Sequence, residues 1–145
     1  MEKKTRPVTD PQKDVLSEKG LAWGLVGDSV RENNTVENIE KLFRAAKQNG
    51  FEVFISPHYH YSLDSRWEFG GPMEKMMNET KMFGRSSALS LEGFAGSGAD
   101  WLDRLEPYIN DGKTVVVSPH KVFGPETNDL VIQLRKLNIK KVFLD

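Results

Sequence analysis

Phe51-Glu52-Val53-Phe54-Ile55 runs without a break into Ser56-Pro57-His58-Tyr59-His60, and a helical pattern stands immediately before it. Val36, Ile39, Leu42, Phe43 and Ala46 recur at helical spacing, so one face of that segment is buried. The helix begins near Asn34-Thr35, with Glu37 three residues after Asn34 as in a capping pair. Gly50, after Gln48-Asn49, stops it. A helix feeding an apolar strand is the second half of a strand–helix–strand crossover, which is right-handed in nearly every parallel sheet. The first half is a short strand leading into Asp10-Pro11-Gln12-Lys13-Asp14, with Arg6 and Pro7 where an apolar run belongs. Proline has no N–H to give to a ladder. The stretch from Asp14 to Asn33, holding Gly20, Trp23, Gly24 and Gly27, reads as a loop.

Downstream, Thr114-Val115-Val116-Val117 is a third strand running into Ser118-Pro119-His120-Lys121. A helix over Asn128 to Leu137 turns Leu130, Leu134 and Leu137 inward, and Lys141-Val142-Phe143-Leu144 is a fourth strand. Strands apolar nearly throughout are covered by helices on both faces. The expected fold is therefore α/β: a three-layer, Rossmann-type sandwich around a parallel sheet, with residues 1–145 as one domain. Residues 57–99 form a long lid or insert within it, since a connection beyond ~12–15 residues is rarely passive. Trp67, Phe69, Phe83, Leu89, Leu91 and Phe94 argue against disorder there. Pro72 opens a short helix with Met73, Met76 and Met77 on one side. Another runs from Ala99 through Trp101, Leu102 and Leu105, ending before Pro107. Ile55-Ser56-Pro57-His58 and Val117-Ser118-Pro119-His120 echo each other, but four residues do not make a duplication.

Twenty basic against 21 acidic residues leave a formal charge of −1. That balance gives no footprint for nucleic acid or for an anionic membrane. The start has no apolar h-region, and no apolar run approaches the ~20 residues that span a bilayer. With no cysteine at all, the expected setting is the reducing cytoplasm, and neither a thiol nucleophile nor a Cys-ligated metal is available from these residues.

Three strands thus end in polar residues on one edge of a parallel sheet, where open α/β sheets bind their ligands. Asp10 reads as a general base for a nucleophile or water, or as an Asx-turn residue before Pro11. Lys121 reads as a cation holding a carboxylate or a developing oxyanion, or as a surface lysine. His58 and His60, two apart, point to the same side of an extended chain and could share a metal, completed by His120 or Asp64; as hydrogen-bonded histidines they would simply line a polar cleft. Gly93-Phe94-Ala95-Gly96-Ser97-Gly98 could offer N–H groups to an anion, but it matches no phosphate-binding fingerprint and reads as flexible loop. Met73, Met76, Met77 and Met82 line an adaptable pocket or fill core.

The order of these parts resembles the isochorismatase-like cysteine hydrolases, which include nicotinamidases, N-carbamoylsarcosine amidohydrolases and ureidoacrylate amidohydrolases. The family's opening Asp-x-Gln-x-Asp motif is matched by Asp10-Pro11-Gln12-Lys13-Asp14. The following helix is similar to Val36 through Ala46, the lysine after the third strand to Lys121, and the next helix start to Thr127-Asn128-Asp129-Leu130. The resemblance implies a hydrolase for amide, carbamoyl or enol-ether bonds of a small molecule, without cofactor. Asp10 and Lys121 would be two members of an Asp–Lys–Cys triad. Gln12, His58 and His120 would line the substrate pocket, and a lid from Tyr61 to Gly84 with Trp67 and Phe69 would shape it. It also implies that the first strand lies between the second and the fourth. The family's cysteine follows the fourth strand, where this sequence ends at Asp145. The expectation is therefore the amino-terminal part of such a domain, C-terminally incomplete and inactive alone, with a fourth-strand edge open to self-association. The alternatives are a non-catalytic scaffold that binds a small molecule or partner, and a metal-dependent hydrolase using His58, His60 and an acid. If the triad reading holds, Asp10 and Lys121 should lie within a few ångströms of each other beyond the sheet edge.

Overall fold

The computed structural model describes residues 4–122 and 124–143. Four parallel strands form the central sheet: β1 (Lys4–Thr9), β2 (Glu52–Ser56), β5 (Val115–Val116) and β6 (Lys141–Val142), in the order β5-β2-β1-β6. The first strand thus lies between the second and the fourth of the sheet, as the resemblance implies. Leu144 of the expected fourth strand is outside the described residues.

Side chains alternate across β2, and that alternation makes the three layers. Val53 and Ile55 face one side, packed with Val8, Phe43, Leu105 and Ile109. Phe54 faces the other with Val117 and Leu130. The first layer is built by α1 (Lys13–Leu16), α2 (Trp23–Glu32), α3 (Thr35–Gln48) and α5 (Glu106–Ile109); the second by α6 (Leu130–Lys136). Phe43, Phe54, Ile55 and Leu105 are the largest apolar side chains to be almost wholly buried, each worth about 1.5–3 kcal/mol on transfer from water.

Pro7 sits in an interior strand, and the ladder explains how. It pairs in register with Phe54, while Thr5 O accepts the Phe143 N–H at 3.0 Å on the other side. The next rung on that side calls for an N–H from residue 7, so proline costs the β1–β2 ladder nothing and coincides with the end of the β1–β6 pairing.

Four local expectations are corrected. The stretch from Asp14 to Asn33 is mostly helix, not loop. Gly27 is there for packing: a Cβ at that position would stand 2.7 Å from the Trp23 ring. Asn34 does not cap α3 with its side chain; it adopts φ 48°, and Glu37 instead accepts from Arg104 Nη1 at 2.7 Å. No helix runs from Ala99 to Leu105. That segment lies antiparallel to the chain at Gln12, through Trp101, and Pro107 stands in the first turn of α5 rather than beyond a helix end. Finally, the Gly-rich stretch is docked, not loose: Gly98 O accepts the Asp14 N–H at 2.8 Å, and Gly96 N–H donates to Asp100 at 2.7 Å.

The lid has structure of its own. β3 (His60–Tyr61) pairs in parallel with β4 (Gly84–Arg85), and α4 (Pro72–Thr80) lies between them in sequence. Met77 and Met82 pack with Ala22 and Phe83 in a satellite core, whereas Met73 is exposed. Among the described residues no helix is long and apolar enough to cross a membrane.

Candidate active site

β1 ends at Thr9, and Asp10 turns out of the strand with φ 50°, a left-handed conformation that aspartate tolerates better than most residues. Its N–H still donates to Ser56 O at 3.1 Å. The carboxylate is therefore launched from the last rung of the β1–β2 ladder. It does not cap its own turn: Oδ1 lies 2.8 Å from His120 Nε2.

The two Ser-Pro-His segments that echo in the sequence run side by side. His120 N–H donates to Pro57 O at 2.8 Å, and His58 and His120 form a parallel bridge beyond the sheet proper. Their rings sit 4.8 Å apart, with His58 stacked on Phe83 at the same centroid distance. Gln12, fully buried, fixes the backbone of His58 from below. Its Nε2 donates to His58 O at 2.9 Å and Ala99 O at 2.6 Å, and its Oε1 accepts the His58 N–H at 2.7 Å. Asp14 holds the lid: its carboxylate accepts the Phe83 N–H at 2.7 Å and the Leu21 N–H at 3.2 Å.

Asp10 and Lys121 make no direct ion pair: each has another partner, His120 for Asp10 and Asp64 for Lys121. Lys121 Nζ instead donates to Asp64 Oδ2 at 2.6 Å and Tyr59 O at 2.8 Å, 4.0 Å above the Tyr61 ring. The reason is local: the chain turns at His120, so consecutive side chains leave in different directions. His120 reaches Asp10 and Lys121 reaches the lid. Asp64 was named in the sequence only as a possible metal ligand. Its place is set by a turn (Asp64–Arg66) in which it also accepts the Tyr61 N–H at 2.7 Å, a contact with no spacing signal.

The electrostatics separate the two histidines. Burial pushes His58 down to about 4, helped by the nearby His120 and Lys121 and opposed by Asp10. Burial opposes charge on His120 as well, but the hydrogen bond and charge of Asp10, with the Lys121 carbonyl, raise it above the ordinary value. Asp64 is held low: burial works against its charge, and Lys121 and the Tyr61 N–H outweigh it.

His58, His60, Asp64, Trp67, Glu74 and Lys121 line a cleft of about 50 Å³. Of the residues expected at the site, His58, Trp67 and Lys121 line this cleft, Asp10 and His120 adjoin it through His58, and Gln12 supports it from beneath. Phe69 is 87% exposed and is not among the lining residues. His60 shares the cleft with His58, but the residues whose ligand atoms converge are Asp10, His58 and His120, all within 4.8 Å of one another. A larger apolar groove of about 300 Å³ lies elsewhere, between α3 and the start of β1, with Phe51 and Phe143 in its wall.

A parallel sheet with helices on both faces and a carboxylate, histidines and a lysine beyond its carboxyl edge defines an α/β protein with a polar site at the end of its strands. The isochorismatase domain matches residues 8–144, and the chain belongs to that family. In structure it is similar to a cysteine hydrolase from Pseudomonas syringae pv. phaseolicola 1448A, with a TM-score of 0.68 and 18% identity. It is also similar to an isochorismatase family protein from Desulfovibrio vulgaris subsp. vulgaris str. Hildenborough, at 0.62 and 20%, and to a nicotinamidase from Bacillus subtilis, at 0.57 and 19%. Each similarity covers 98% of this chain, but only 58%, 65% and 69% of the respective relatives. At such identities the likeness speaks for the fold. A search of curated proteins gave no match.

Proposed function

We propose that this chain supplies the acid–base and substrate-holding groups of an isochorismatase-type hydrolase that cleaves an amide or carbamoyl C–N bond, or an enol ether, in a small molecule. The observation that supports it is the meeting of Asp10, His58 and His120 beyond three adjacent strands, with Lys121 on the adjoining cleft wall. In this reading Asp10 takes the proton of a thiol, the thiolate attacks the substrate carbonyl, and Asp10 returns the proton to the departing amine. Water then hydrolyses the thioester. Lys121 stabilises the developing negative charge. The thiol is not among the 145 residues, and a thiol is a weak nucleophile until a base and a cation activate it. A cleft of about 50 Å³ is far below the ~300 Å³ of a ligand pocket, so entry of substrate requires the Lys121–Asp64 contact and the lid to open.

A chain without the thiol leaves substrates intact and can be titrated with them as ligands. Calorimetry with small primary amides, carbamoyl amines and enol ethers should find saturable binding by one class, weakened about tenfold or more by Asp10→Asn or Lys121→Met. Asparagine is chosen because it too tolerates the left-handed backbone. Absence of binding by every class to folded protein would refute the reading.

A further inference from the structure

On the hydrolase reading just given, we propose that the cleft beside Lys121 selects substrates with a positively charged end: a primary ammonium whose charge is received by Glu74 and one of whose N–H groups is accepted by His60 Nε2.

Two independent observations meet in the cleft wall. The first is His60, held in β3 by the bond from its N–H to Phe83 O at 2.9 Å. It is 7% exposed and lines the cleft, and its Nε2 is buried without a hydrogen-bond partner among the described residues. Buried polar side-chain atoms are nearly always paired, so one left open in the wall of a cleft is a place for a ligand atom. The second is Glu74. The other carboxylates around the site have partners: Asp10 has His120, Asp64 has Lys121, and Asp14 has the Phe83 and Leu21 N–H groups. Glu74 lines the same cleft and is half-buried, yet among the described residues its carboxylate has neither an ion pair nor a hydrogen bond. It stands in the first turn of α4, where the helix dipole favours the ionised form. Lys121 is not available to it, being held by Asp64 Oδ2 and Tyr59 O.

One unbalanced negative charge and one unused nitrogen thus share a cleft of about 50 Å³. A neutral imidazole nitrogen can accept an N–H, and hydrogen bonds between ionised groups are the strong ones. An ammonium, with three N–H groups and a positive charge, suits both at once. Met77, Val122 and Trp67 complete the lining and give apolar surface to the short chain between the ammonium and the scissile bond. A negatively charged end would meet Glu74 and be repelled.

The test titrates the unmodified chain by calorimetry at pH 8, where an amine is charged and an ordinary imidazole neutral. The ligands are ω-amino amides from 3-aminopropanamide to 6-aminohexanamide, the unsubstituted amides of the same lengths, the matching ω-carboxy amides, and butylammonium. At least one ω-amino amide should bind about tenfold or more tighter than its unsubstituted counterpart, the scale of a hydrogen bond to a charged group, and the ω-carboxy amides should bind weakest. Of the three histidines, His60 should show a ring resonance shift that the ω-amino amide causes and the unsubstituted amide does not, a readout that needs no variant. Glu74→Gln should erase the preference for the charged end and His60→Gln should weaken it, whereas Glu79→Gln, at an exposed position of the same helix, should leave it intact. Equal binding of charged and uncharged amides, a preference for the carboxylates, a preference that survives Glu74→Gln, or no binding at all would each overturn the proposal. Amides that bind with no gain from the ammonium would leave the hydrolase reading untouched. Butylammonium bound through Glu74 and His60, with unsubstituted amides unbound and ω-amino amides no tighter, would leave the cation site standing and remove support from the hydrolase reading.

Discussion

Gln12→Met is the substitution that most directly tests how the site is supported. The glutamine is fully buried and makes three hydrogen bonds to backbone, two to His58 and one to Ala99. Methionine keeps the length and volume but satisfies none of them. Leaving a buried polar group without a partner costs about 1–3 kcal/mol. With one stranded N–H near the middle of that range and two stranded carbonyls near its low end, the sum is about 4 kcal/mol. Against a typical domain stability of about 5–15 kcal/mol, that is roughly a quarter or more of the total. Gln12→Glu keeps an acceptor for the His58 N–H but turns a carboxylate oxygen toward two carbonyls, and should cost at least as much. Urea unfolding followed by tryptophan fluorescence suits the test, because Trp101 is bridged to Gln12. The midpoint should fall with an unchanged slope. A Gln12→Met protein within about 1 kcal/mol of the parent would show that these bonds do not hold the strand ends together.

Gly98→Ala should destabilise by about 2 kcal/mol or more, since a Cβ there would collide with the Asp14 carboxylate; an unchanged unfolding midpoint would refute the close approach. In an NMR titration the His58 ring should stay neutral until about pH 4, while His120 remains charged above its ordinary midpoint. His58 alone then contributes stability that is complete above about pH 6.5 and lost as the pH falls toward 4, about 3 kcal/mol for a shift of that size. His120 has the opposite sign, stabilising at low pH and losing that contribution as the pH rises, so a His58 ring titrating near 6.5 is the refuting result. At the β6 edge, Val142 and Phe143 are exposed, and sedimentation should show concentration-dependent self-association that Val142→Lys abolishes; a monomer at all concentrations would remove that expectation.

The sheet was legible because its information is local. The apolar run Val53–Ile55 and the spacing of Val36, Ile39 and Phe43 each report burial from their own neighbourhood, and the Asp10–Asp14 motif and Lys121 carried the family. What was not legible depends on distance. No pattern says that Asp64 turns back to take Lys121, or that His120 rather than Lys121 reaches Asp10; these follow from one residue's change of direction after β5. The glycines of α2 misled for a related reason. Gly27 looks like a loop residue until the Trp23 ring is seen against it.

The paired Ser-Pro-His ends have a consequence for how such a site can change over time. Asp10, His58 and His120 stand on three neighbouring strands, and the 4.8 Å between the two imidazoles equals the ~4.8 Å between strands. Their separation is inherited from backbone hydrogen bonding rather than from loop conformation. Replacing any one of the three side chains therefore alters the chemistry at a preserved spacing, so that donor sets can be exchanged one residue at a time while the lid, anchored separately through Asp14 and Phe83, varies on its own.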